Sequence, residues 1–130
     1  MPRLDRFRRF GLATALVLAM SAGAACADDS NKWRIEVSSD ADTTGVLVFE
    51  LTPVSGAPLS VTVQVPEGTD ENDVAQLIHD AMVARFGDTY RVEVDDGEDV
   101  LVKKQTGAAD FDLRLVSQTV RGVRIDLDRE

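Results

Sequence analysis

The chain has 130 residues, of which 28% are charged, and its formal net charge is −9. An acidic domain of this kind repels nucleic acid and anionic lipid surfaces, so the charge argues against a nucleic-acid-binding protein. Its single cysteine and single histidine exclude an intramolecular disulfide and a metal site built from several such ligands.

The first 27 residues have the three parts of a secretory signal peptide. Four arginines between positions 3 and 9 form a basic start, and the apolar run FGLATALVLAM occupies 10–20. That run is too short for a transmembrane helix, which needs about 20 residues. We therefore expect 1–27 to be a cleaved leader and the protein to be periplasmic or secreted.

Two kinds of processing fit the sequence around Cys26. Ala25-Cys26-Ala27 has the small-x-small pattern of ordinary cleavage, which would discard the cysteine. That cleavage would change the net charge from −9 to −12, because the leader holds four arginines and one aspartate. Alternatively, Gly23-Ala24-Ala25-Cys26 resembles a bacterial lipobox, although Gly23 stands where leucine is usual. The alternative to a soluble exported protein is thus an outer-membrane lipoprotein anchored through Cys26.

Three strands are predicted in the first half of a single domain over 33–130, which follows a polar spacer at 28–32. Apolar and polar residues alternate with a period of two at 33–37, 46–52 and 59–65. This period is typical of strands with one buried face.

A helix is predicted from about 70 to 86. Thr69 or Asp70 can cap its start, acidic residues in the first turn favour the helix dipole, and Gly87 can end it. Spacings of three and four residues place one apolar stripe on the helix. Its members are Val74, Leu77, Ile78, Ala81, Met82 and Phe86.

Four further strands are predicted after the helix. A hairpin pairs 90–94 with 100–104 through a turn at Asp96-Gly97, and alternation continues at 111–115 and 123–127. The order is βββ-α-ββββ. We therefore expect an α+β domain in which one helix covers one face of a mainly antiparallel sheet of about six or seven strands.

The hairpin turn carries the most concentrated negative charge, at Asp95, Asp96, Glu98 and Asp99. These are weak candidates for metal ligands, because their spacing is not that of an EF-hand loop. A solvated turn is the simpler interpretation. The rival hypothesis is a carboxylate-dependent envelope hydrolase that uses these acids together with His79.

Catalytic motifs are otherwise missing from the sequence. His79 lies beside the apolar stripe of the helix, and no G-x-S-x-G elbow accompanies it. Glycine-rich phosphate loops do not occur either. We therefore expect a protein that is not an enzyme and needs no cofactor.

Positive charge concentrates in the C-terminal third of the chain. It either forms a basic surface facing the acidic loops of another copy or, in the simpler interpretation, protects strand edges against pairing. Trp33 is expected in the core rather than at a ligand platform. The basic residues are Lys103, Lys104, Arg114, Arg121, Arg124 and Arg129.

The segment 61–116 resembles a small α+β module of phage tail-sheath and other extracellular assembly proteins. The shared features are the strand VTVQV, the helix opening GTDENDVAQLI, the hairpin YRVEVDDGEDVLVKK and the loop TGAADFDL. The resemblance implies a structural or interaction module with no active site. The sequence as a whole therefore predicts a small exported acidic module that acts by binding or assembly, with an unknown protein or another envelope component as its partner. Contact with a membrane is expected only if Cys26 is lipidated.

Overall fold

The computed structural model describes residues 29–130, so the predicted leader at 1–27 and Cys26 lie outside the described residues. The described chain forms seven strands and one helix in the predicted order, which confirms the α+β class. No helix within it is long and apolar enough to cross a membrane. The elements are β1 Lys32–Ser38, β2 Gly45–Pro53, β3 Leu59–Val65, α1 Glu71–Phe86, β4 Tyr90–Asp95, β5 Asp99–Lys104, β6 Phe111–Gln118 and β7 Arg124–Arg129.

The strands divide between two antiparallel sheets rather than forming one. The larger sheet has the order β4-β5-β1-β7 and the smaller has the order β3-β2-β6. Alternation along a strand shows which side chains share a face, but it does not show which strands become neighbours. The buried faces of both sheets contribute to one continuous core.

Strand ends differ slightly from the sequence prediction. β1 begins at Lys32, and Ser30 of the predicted spacer already pairs with Phe111 through an isolated bridge. β7 is displaced toward the C-terminus, because Val123 is buried but precedes the strand. β6 extends to Gln118 through a bulge in its pairing with β2.

Helix α1 begins and ends with local capping interactions. The Asp70 carboxylate accepts a hydrogen bond from the Asp73 amide at 2.9 Å, and the Gly87 amide donates to the Val83 carbonyl at 2.9 Å. The predicted apolar stripe faces the core, with Ala75 buried beside it. The helix packs against β3 and β4, which are edge strands of the two sheets, so it covers one side of the core.

The opposite side of the core is bordered by the other two edge strands, β6 and β7. Near one end of this side, the Phe111 carbonyl accepts hydrogen bonds from the Ser30 amide and from Trp33 Nε1, both at 2.9 Å. Trp33 is 7% exposed, so the indole is a core group, as predicted. The Trp33 bond connects β6 of one sheet with β1 of the other, and the Ser30 bond attaches the residues before β1 to β6.

Candidate binding groove

A groove of about 350 Å³ lies between β3 and the C-terminal half of α1. The helix contributes Ala81 and Ala84, whose short side chains leave the space open. Arg85 lies on the same wall and is the only charged residue among the described residues that line the groove. The strand contributes Ser60, Val61 and Thr62.

The strand wall of this groove is an unpaired sheet edge. In the described part of the chain β3 pairs with β2 alone, and on its other edge Arg85 Nε donates a hydrogen bond to the Ser60 carbonyl at 2.9 Å. Successive residues of an antiparallel strand direct their backbone groups to alternate edges. The amide and carbonyl of Thr62 and Gln64 therefore face the same edge as the Ser60 carbonyl. Residues 29–130 supply no hydrogen-bond partner for the outward groups of Thr62.

The predicted acidic hairpin is organised around Arg34 of β1. Arg34 Nη1 donates to Asp99 Oδ2 at 2.7 Å and to Asp95 Oδ2 at 3.2 Å. Its Nε donates to Glu130 Oε2 at 3.2 Å. These hydrogen bonds, Asp99 first, raise the pKa of Arg34, and Arg34 in turn is the main cause that lowers the pKa of Glu130. The hairpin acids at Asp95 and Asp99 are thus ion-paired rather than free in solvent.

The other two hairpin acids have different surroundings. Asp96 occupies the turn with a positive φ of 53°, and the backbone carbonyl of Glu98 accepts from the Val37 amide at 3.1 Å. Within the described part of the chain, no group of three or more His, Cys, Asp or Glu residues could hold a metal ion. Asp95 and Asp99 therefore share the cation of Arg34, whereas Asp96 and Glu98 make no ion pair with it.

Cross-strand register also creates a row of carboxylates that the sequence did not reveal. Asp95 lies opposite Asp99, Asp99 opposite Glu36, and Glu36 opposite Asp126. Like charges directly opposite one another destabilise a sheet. Arg34, two residues before Glu36 on β1, offsets part of this repulsion through its ion pairs with Asp95 and Asp99. No local sequence signal marks this row, because its members come from four different strands.

His79 is not brought to the hairpin acids. Its Nδ1 lies 2.9 Å from Asp80 Oδ1 and 3.3 Å from Gln76 Nε2. The hydrogen bond from His79, followed by that from Gln76, lowers the pKa of Asp80. The hairpin turn instead approaches the start of α1, where Gly97 neighbours Asn72. His79 is seven residues further along, which is about 10 Å along the helix axis.

The C-terminal basic residues fall into two groups. Lys103 and Lys104 lie on the interior strand β5, where they pair with Glu93 at 3.0 Å and Asp110 at 2.9 Å. Lys103 is the largest cause that lowers the pKa of Glu93. These lysines neutralise nearby acids and do not form an unbalanced basic surface.

The arginines of this set lie at or near sheet edges. Arg114 is on β6, with its Nε 2.6 Å from Asp112 Oδ2, while Arg124 and Arg129 are on β7. Arg121 lies in the turn that joins these two strands. Arg114, on the edge strand β6, is placed as edge protection requires.

Sequence reasoning did not identify the groove residues as a set. Arg85 falls within the predicted helix, and Ser60 and Thr62 fall within the predicted strand 59–65, but neither pattern brings them together. Comparisons with protein-family models, curated proteins and solved structures found no match. The resemblance of 61–116 to the tail-sheath module stays a prediction.

Proposed function

We propose that the protein is an exported, non-catalytic binding module that holds an extended segment of a partner polypeptide against β3. The observation that carries the proposal is the groove between the unpaired edge of β3 and helix α1. A strand edge beside a helix provides both a backbone ladder and a wall for side chains.

The backbone of the partner segment accounts for affinity. Outward amide and carbonyl groups at Thr62 and Gln64 match those of an added antiparallel strand, which would extend the three-stranded sheet to four. Because all polypeptides carry the same backbone groups, this ladder selects an extended conformation rather than a sequence.

Side chains of the partner account for selectivity. Ala81 and Ala84 leave limited depth, so the residues that face the helix should be small or of moderate size. Arg85 uses one N–H for the Ser60 carbonyl, and its remaining donors suit a carboxylate. The partner we propose is therefore an extended polypeptide with small groove-facing residues and an acidic group near Arg85.

The export part of the proposal rests on the leader-like sequence of 1–27. Cleavage after Ala27 would release a soluble module, whereas acylation of Cys26 would hold the same groove at the outer membrane. The intact mass of the protein purified from the cell envelope distinguishes the two products. A mass matching a chain that starts at Asp28 would exclude the lipid anchor.

Peptide display against the purified 28–130 chain tests the groove. Peptides selected on this chain should bind the Ala84→Arg variant at least about tenfold more weakly, because the long side chain fills the groove. The matched control is Val83→Arg, which places the same side chain at an adjacent exposed helix position and should leave affinity unchanged. Thr62→Pro removes an outward amide and should weaken the same peptides.

Selected peptides should also be enriched in acidic residues, and this preference should disappear with Arg85→Ala. Backbone amide shifts in NMR spectra should locate binding at β3 and α1. The proposal fails if no peptide is enriched, or if the enriched peptides bind Ala84→Arg and the parent chain equally well.

A further inference from the structure

Strand β7 forms a free edge on the side of the core opposite to α1. Within residues 29–130 it pairs with β1 alone, and the Glu130 amide donates to the Lys32 carbonyl at 2.9 Å. Even-numbered residues of β7 thus direct their backbone groups toward β1. By alternation, the backbone groups of Ile125 and Leu127 face the open edge.

The core-facing side of this edge is incompletely covered. Ile125 and Leu127 pack against the core but are only half-buried, whereas Ile35 and Val37 on neighbouring β1 are 0% and 2% exposed. On β6, the other edge strand of this side, Leu115 is half-buried and Val116 is 50% exposed. An additional strand beside β7 would remove this apolar surface from water.

The outer face of β7 carries charged residues at alternate positions, and their charges are not neutralised within residues 29–130. Arg124, Asp126 and Asp128 are exposed, and none of them forms an ion pair or a side-chain hydrogen bond there. When the strand is read in the opposite direction, Arg124 lies opposite Asp128 and Ile125 opposite Leu127. The strand is therefore complementary in charge and in hydrophobicity to an antiparallel copy of itself.

We propose that β7 pairs with β7 of a second copy of the chain about a two-fold axis at Asp126. Such a contact is isologous, so each interaction occurs twice. Ile125 of one copy exchanges backbone hydrogen bonds with Leu127 of the other, and the two side chains pack side by side on the core-facing side. On the outer face, two ion pairs form between Arg124 and Asp128, and the two four-stranded sheets become one of eight strands.

Charge and the length of β7 together select this register among those that the backbone allows. Moving the axis to Leu127 would place Asp126 opposite Asp128 twice, which is unfavourable, and would place Arg124 opposite Glu130, whose carboxylate already pairs with Lys32 and Arg34. Moving it to Ile125 would place Arg124 opposite Asp126, but it would also place Leu127 opposite Val123, which is buried and precedes the strand. The chosen register retains one unfavourable contact, because each Asp126 faces its own equivalent across the axis.

Sedimentation equilibrium of the 28–130 chain tests this dimer. Arg124→Glu replaces two ion pairs by two like-charge pairs and should raise the dimer dissociation constant at least about tenfold. Arg91→Glu is the matched control, since it makes the same change of charge at an exposed site on β4, the other edge strand of the same sheet. It should alter the constant by no more than about twofold.

Asp126→Asn should change the dissociation constant in the opposite direction to Arg124→Glu, and it reports on the register. Removing the repulsion at the axis should lower the dissociation constant, a result that loss of structure would not produce. The proposal is overturned if the parent chain is monomeric at all accessible concentrations, if Arg124→Glu behaves like Arg91→Glu, or if Asp126→Asn weakens association. Circular dichroism melts show whether each variant is folded. Peptide binding at β3 is measured separately, so either proposal can fail alone.

Discussion

The buried indole of Trp33 offers the most direct test of how the two sheets are held together. Its Nε1 donates to the Phe111 carbonyl, which lies on the other sheet and also accepts from the Ser30 amide. Trp33→Phe removes the donor while keeping an aromatic ring in the core. The carbonyl keeps its bond from Ser30, so no buried acceptor is left without a partner.

The expected cost can be estimated from two contributions. Loss of one hydrogen bond whose acceptor remains satisfied costs about 1 kcal/mol. The smaller ring also loses buried surface equivalent to at least one methylene, which adds about 1 kcal/mol. We therefore expect Trp33→Phe to lower the free energy of unfolding by about 2 kcal/mol. For a domain of this size, that corresponds to a fall in Tm of roughly 10 °C.

Urea unfolding followed by far-UV circular dichroism measures this change. Trp33 is the only tryptophan, so the substitution removes the fluorescence signal that would otherwise report unfolding. Val54→Ala, at a site that is 59% exposed, is the control and should change stability by less than about 0.5 kcal/mol. A loss as small as this for Trp33→Phe would refute the argument that the indole connects the sheets.

Three further outcomes follow from local structure. Asp70→Ala should destabilise the domain by about 1 kcal/mol in urea unfolding, because the first turn of α1 loses its cap. Asp70→Asn should keep most of the stability, because asparagine can also cap the helix. Gly45→Ala should cost about 1 to 3 kcal/mol in the same assay, because a Cβ there would clash with the backbone of Val120. Gly56→Ala, which meets only a proline ring, should cost much less. Burial raises the pKa of Tyr90 above its ordinary value of 10.0, so the Tyr90 hydroxyl ionises at a lower pH in the unfolded chain than in the folded one. Stability should be fully present below pH 10.0 and fall as the pH rises above it, and Tyr90→Phe should abolish this alkaline loss in melts at several pH values.

Part of the architecture follows from local patterns in the sequence. Period-two alternation identified the buried faces of the strands, and capping residues together with a 3.6-residue stripe located α1 to within one residue at its start. The turn at Asp96-Gly97 was also predictable, because both residues adopt positive φ angles that such a dipeptide tolerates. Each of these features depends on neighbours within a few positions of the chain.

The tertiary structure alone decided which strands became neighbours, and with them every candidate site. Arg34 meets Asp95, Asp99 and Glu130 only because β1 lies between β5 and β7. The groove beside Arg85 and the open edge of β7 likewise depend on which strands end each sheet. Alternation specifies the face that a side chain occupies, but pairing is decided by long-range packing, and the free energy of that packing is distributed over the whole core.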